Sequence, residues 1–200
     1  MNNIKNVNNF GKNNGENTIA WNKAGRKLSD LKAGEMFKDN NGTEYIVCEQ
    51  FENGTTAVVR KDILDKKMAF GDTNDWRESN IRKYLNEEYL KELEEQFGKE
   101  NVIEFERDLL SLDGYDDYGK CQDKVSIMSI IEYMRYHKYI GNCEKWHYLL
   151  TPDSTPTGCS SDYAQCVGSN GDVIYNWRDN DKAMRPFFIL KSNIFIKQLI

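Results

Sequence analysis

Two hundred residues, 39% hydrophobic and 12% aromatic, are enough to bury a proper core and are read as one globular domain. The net charge of −5, with acids spread along the chain, excludes the concentrated basic surface that sequence-independent nucleic-acid binding needs. No apolar run approaches a membrane span and residues 1–9 lack a signal-peptide core, so no membrane association and a cytoplasmic location are expected.

Residues 1–25 hold nine Asn and few apolar side chains, and read as a flexible arm with Ile19 and Trp21 as candidate anchors. A single domain over residues 26–200 follows. Lys32-Ala33-Gly34-Glu35 turns into a strand at 36–38, which the hairpin signal Asp39-Asn40-Asn41-Gly42 joins to a strand at 43–51. A second turn at Glu52-Asn53-Gly54 leads to the β-branched run 55–60, completing a three-stranded meander.

Helices are expected next. Asp75-Trp76-Arg77-Glu78 has the form of a capping box, and Ile81, Tyr84 and Leu85 then recur at helical spacing. Asn86 is placed to cap a second helix, with Glu87 and Glu88 beside the positive end of its dipole. Its apolar face is Tyr89, Leu90, Leu93 and Phe97, and Gly98 ends it. A Gly/Asp/Tyr loop spans 113–119, and 124–128 reads as a short strand. Ser129 and Glu132 form a capping box for a helix that runs to about Ile140, where Gly141 stops it. Two apolar runs, 146–152 and 184–190, read as strands that bracket a long polar loop carrying Tyr163, Tyr175 and Trp177. Strands, then helices, then strands give an α+β class rather than alternating βαβ units.

The reactive groups form no familiar constellation. Five Cys without regular spacing read as reduced thiols in a cytoplasm. Cys143, His147, Cys159 and Cys166 supply four zinc-type ligands, but not at a compact knuckle spacing. Asp113, Asp116 and Asp117 lack the alternation of a calcium loop. His137 falls near a helix C-terminus, where a cation is mildly favoured. No metal and no cofactor is expected.

Several blocks in order carry a resemblance. They are Gly42 with Tyr45-Ile46-Val47, then Asn74-Asp75-Trp76-Arg77-Glu78-Ser79-Asn80-Ile81-Arg82-Lys83-Tyr84-Leu85-Asn86, then Asp123-Lys124-Val125 with Ser129 and Glu132, Trp146 with Leu149-Leu150-Thr151-Pro152, Gly168-Ser169-Asn170-Gly171, and Arg185-Pro186. Over about residues 28–191 the chain resembles a bacterial and phage family of domains of unknown function. That family is similar in architecture to C-type-lectin-like domains and to formylglycine-generating enzymes. The resemblance implies a twisted antiparallel sheet with flanking helices and a long loop region. It also implies two alternatives: a cysteine enzyme using Cys159 and Cys166, or a carbohydrate-binding module. For the second, Trp177-Arg178-Asp179-Asn180-Asp181 departs from a lectin calcium triplet, because Arg178 stands where an oxygen ligand is needed.

Within those blocks Trp76, Arg82, Asn86, Trp146, Arg185 and Pro186 are read as structural. The tryptophans are expected in the core with bonded N–H groups, and Arg185 in an ion pair or against carbonyls. Recognition is assigned to Asp153, Tyr163, Asn176, Trp177 and Arg178 on the long loop, with Tyr115 and Tyr118 on the 113–119 loop. The expected function is a non-enzymatic protein-binding module, encoded by a phage or mobile element, that blocks a host protein such as a defence component.

Overall fold

A computed structural model describes residues 25–198. The Asn-rich arm expected over residues 1–25 lies outside these, apart from Gly25, and so do Ile19 and Trp21. The meander forms as the turn chemistry dictates: β2 (Met36–Lys38), β3 (Glu44–Gln50) and β4 (Thr55–Arg60) pair antiparallel in sequence order, after a short β1 (Arg26–Lys27). Asp39 closes the first turn by accepting from the N–H groups of Asn41 and Thr43.

The helical region departs from its expected punctuation. Asp75 caps only a 3₁₀ turn, Trp76–Glu78, by accepting from the Arg77 N–H. Ser79 caps α1 (Asn80–Tyr84) by accepting from the Arg82 N–H. Asn86 caps nothing: it sits inside a π-helical turn, Leu85–Tyr89, that runs unbroken into α2 (Leu90–Phe97). The cause is periodicity. Buried Ile81, Leu85, Tyr89 and Leu93 recur every four residues, slower than the 3.6 of an α-helix, and the wider π turn absorbs the drift.

Short strands β5 (Val102–Ile103), β6 (Phe105–Asp108), β7 (Lys120–Asp123) and β8 (Val125–Ser126) precede α3 (Ile130–Ile140). The Ser129–Glu132 capping box and the Gly141 stop of α3 are present as the residues foretell. Then come β9 (His147–Pro152), β10 (Tyr163–Val167), β11 (Val173–Trp177), β12 (Phe187–Lys191) and β13 (Phe195–Gln198). The supposed long loop therefore contains a hairpin, β10–β11, which joins β9 in a three-stranded sheet.

The fold is α+β and mostly antiparallel sheet. In the main sheet the order is β1-β13-β2-β3-β4-β12-β5, with β8 also on β12. Alternating side chains fill both faces of that sheet. Tyr45, Val47, Val58 and Phe188 face a cluster that includes Ile81, Leu85 and Leu93 of the α1–α2 segment. Ile46, Ala57, Val59 and Phe187 face Tyr133, Tyr136 and Ile140 of α3. β12 occupies the middle of this arrangement. One edge pairs with β4 along its whole length; the other is shared by β8 and β5. Among the described residues no helix is long and apolar enough to cross a membrane.

Candidate recognition surface

The block residues expected to be structural mostly anchor the fold. Trp76 is fully buried, and its Nε1–H donates to the Asp123 carboxylate at 2.7 Å. Arg82 Nε donates to the other oxygen of Asp123, also at 2.7 Å. Burial lifts the Asp123 carboxyl above its usual range, although both donors favour its charged form. Asn86 saturates its amide, donating to the carbonyls of Arg82 and Val125 and accepting from the N–H groups of Lys124 and Val125. Arg185 is buried, meets only carbonyls, and has the buried Pro186 beside it in the approach to β12. Trp146 is the exception. It is 40% exposed, with Lys182 Nζ over its ring at 5.6 Å, because it precedes β9 and lies at the rim of the small sheet.

That small sheet is held from beneath by a residue the sequence reading left unassigned. Asn74 is fully buried; its amide donates to the carbonyls of Ser154 and Tyr163, and its oxygen accepts from Tyr118 Oη. Tyr118 is thereby withdrawn from any partner: it is 6% exposed, with its hydroxyl committed inside. Tyr115 in the same loop stays 40% exposed, its ring resting against Gly158, where an added Cβ would lie 2.7 Å from the ring. Asp113 accepts from Ser111 and Ser154, contacts that hold its carboxyl below the usual range and tie this loop to the one before β10. Asp153, half-buried, accepts from Gln165 Nε2. Arg178 donates to the Ser161 carbonyl and pairs with Asp162.

On this floor stands β11, whose five residues are largely exposed although four are apolar. The turn before it, 168–172, is closed by Gly171, at φ +89°, whose N–H donates to the Gly168 carbonyl. On one face Tyr163 packs at 5.2 Å from Tyr175 and 4.4 Å from Trp177, centroid to centroid. Tyr175 is 57% and Trp177 50% exposed. The other face carries Ile174 and Asn176, and opens on a cleft of about 430 Å³ bordered by Trp146, Asn176, Asp181, Lys67, Lys145 and Lys182. Tyr163 and Trp177 thus share one face of the hairpin, while Asn176 lies on the other. Val173, Ile174, Tyr175 and the three lysines, which the sequence reading did not single out for this surface, border it as well. An available signal was Asn170-Gly171 between two β-branched and aromatic runs, a hairpin signature.

The thiol and metal candidates are dispersed. Cys166 faces the core from β10, where burial pushes its thiol up to about 12, while Cys159 is exposed on the preceding loop. His147 pairs with Val167 and Tyr148 with Cys166, so His147 and Cys166 point to opposite faces. Among the described residues no three His, Cys, Asp or Glu side chains are grouped to hold a metal ion. His137 is exposed in the last turn of α3.

No curated protein and no solved structure matches the chain. A family model does match, over residues 53–192, a span that runs from the β3–β4 turn to the end of β12 and takes in the whole small sheet. The chain belongs to that family, described as a domain of unknown function (DUF6273).

Proposed function

We propose that this chain is a non-enzymatic protein-binding module whose contact surface is the β10–β11 hairpin. One observation carries the proposal: Tyr163 of β10 packs with Tyr175 and Trp177 of β11 in an aromatic cluster whose two β11 rings are half exposed or more. Exposed apolar clusters of this kind mark interaction sites, and Tyr and Trp give large contact area at little conformational cost. The family resemblance adds the rest of the proposal: a C-type-lectin-like scaffold, encoded by a phage or mobile element, that occludes a host protein such as a defence component. The antiparallel sheet with helices on both faces is in keeping with such a scaffold.

The test is capture from host cytoplasm with the full chain as bait, compared with a Tyr175→Ser/Trp177→Ser variant. Both side chains are about half exposed, so the variant should melt like the wild type. A stoichiometric partner recovered by the wild type and lost by the variant is expected. Absence of any such partner, or equal recovery by both, would overturn the proposal.

A further inference from the structure

We propose that β11 is extended by strand addition, taking one extended peptide segment in which apolar and acidic side chains alternate. The inference rests on the protein-binding reading above and gives the partner its chemistry.

The backbone supplies the first argument. Gly168 N–H donates to the Asp172 carbonyl and Arg178 N–H to the Asp162 carbonyl, bracketing the β10–β11 ladder. Antiparallel alternation then turns the backbone groups of Ile174 and Asn176 toward β10 and those of Val173 and Tyr175 away from it. Among the described residues no strand pairs with that outer edge, and neither residue's outward N–H or C=O has a backbone partner. The Trp177 carbonyl ends the free run, since it accepts from Tyr148 Oη and the Asn180 N–H.

The second argument is what the edge lacks. Exposed edges are ordinarily blunted by Lys, by Pro or by a bulge. β11 contains no Lys and no Pro, and its register with β10 runs from Tyr163↔Trp177 to Val167↔Val173 without a shift. Such an edge is a template for another strand.

The third argument selects the occupant. Side chains of an added strand alternate between the two faces of the sheet. One face continues the Tyr163–Tyr175–Trp177 cluster; the other opens on the cleft with Lys67, Lys145 and Lys182 against the single acid Asp181. None of those lysines has an ion-pair partner among the described residues. A peptide with apolar residues on one side and acids on the other meets both faces at once. Its own N–H and C=O groups match the outward groups of Val173 and Tyr175. A nucleic acid would bring the negative charge but no alternating backbone donors and acceptors.

The experiment titrates the full chain with a short blocked synthetic peptide alternating Glu with Val or Tyr, alongside two controls. One control has the same composition in blocks and the other has Lys in place of Glu. Fluorescence anisotropy should show saturable binding of the alternating acidic peptide, at least about tenfold weaker for both controls. Val173→Pro removes one outward N–H without touching the β10 ladder, a placement edge strands tolerate, and should weaken binding about tenfold or more. Lys182→Glu should weaken the acidic peptide and improve the lysine one. Should Val173→Pro prove unfolded, N-methylating the peptide along one edge instead removes the ligand's own donors to the Val173 and Tyr175 carbonyls. No binding, or binding indifferent to N-methylation and to charge order, would overturn strand addition. If the Tyr175→Ser/Trp177→Ser variant loses a cytoplasmic partner that the peptide cannot displace, the broader reading stands and this one falls.

Discussion

Arg185 carries a charge into the interior without an acid to meet it among the described residues. Its Nε donates to the Arg60 carbonyl at 3.0 Å and its two terminal nitrogens to the carbonyls of Lys61, Ile140 and Gly141. Two of these acceptors lie at the C-terminal end of α3, where unpaired carbonyls and the helix dipole favour a cation. Of the two partners the sequence allowed, ion pair or carbonyl, the structure has the second. Arg185→Leu should lower stability by about 3 kcal/mol or more in urea denaturation, because buried carbonyls lose their donors. Arg185→Lys should recover only part, as an ammonium lacks the planar fork that spans two elements. His147 is the neighbouring case. Burial first, and then the Arg185 charge, lower its pKa from 6.5 to about 4, and its Nδ1 has no partner. The folded chain refuses a proton that the unfolded chain accepts below pH ~6.5. Stability should therefore be full above that pH and fall as the pH drops toward 4, by up to ~3 kcal/mol at about 1.4 kcal/mol per pH unit. His147→Phe should flatten that part of a melting-temperature profile; an unchanged slope would place the titration elsewhere.

Among the elements, the π turn carries a side chain that bonds fully to a distant segment. Asn86 projects from it into the backbone of Lys124 and Val125, and so fastens the α1–α2 segment to β8. Asn86→Ala should cost about 2 kcal/mol, and Asn86→Asp a comparable amount because both amide donors vanish. Differential scanning calorimetry of the two variants checks this. The same residue shows where sequence legibility ends. Caps and turns at Asp39, Ser129 and Gly141 were readable because each acts on its immediate neighbours. Asn86 looked like a cap because its partners at Lys124 and Val125, nearly forty residues on, leave no local trace. β5, two residues long, exists only because β12 offers it an edge, whereas β8, read from the sequence as 124–128, narrows to Val125–Ser126. β11 was hidden for the opposite reason: exposed on both faces, it lacks the period-two pattern that betrays a half-buried strand. Tyr118 and Trp146 exchanged their expected places, since loop and strand-end positions do not reveal which way a ring turns.

At the scale of the whole molecule, two apolar clusters share one sheet, so neither can loosen without disturbing the strands that carry both. The small sheet differs from this in its exposure. Its inner strands β9 and β10 are buried in the same clusters, while β11 gives its apolar side chains to the solvent. β12 has a consequence in time. Translation delivers residues 55–60 well before residues 187–191, yet β4, β5 and β8 all wait for β12 to complete their pairing. Until β12 emerges the nascent chain thus displays the unfilled flank of β4, with Val58 and its neighbours uncovered, and long-range closure of this kind is slow. The interval between emergence of the meander and arrival of Phe187 and Phe188 is when this polypeptide is most exposed to misassembly on the ribosome.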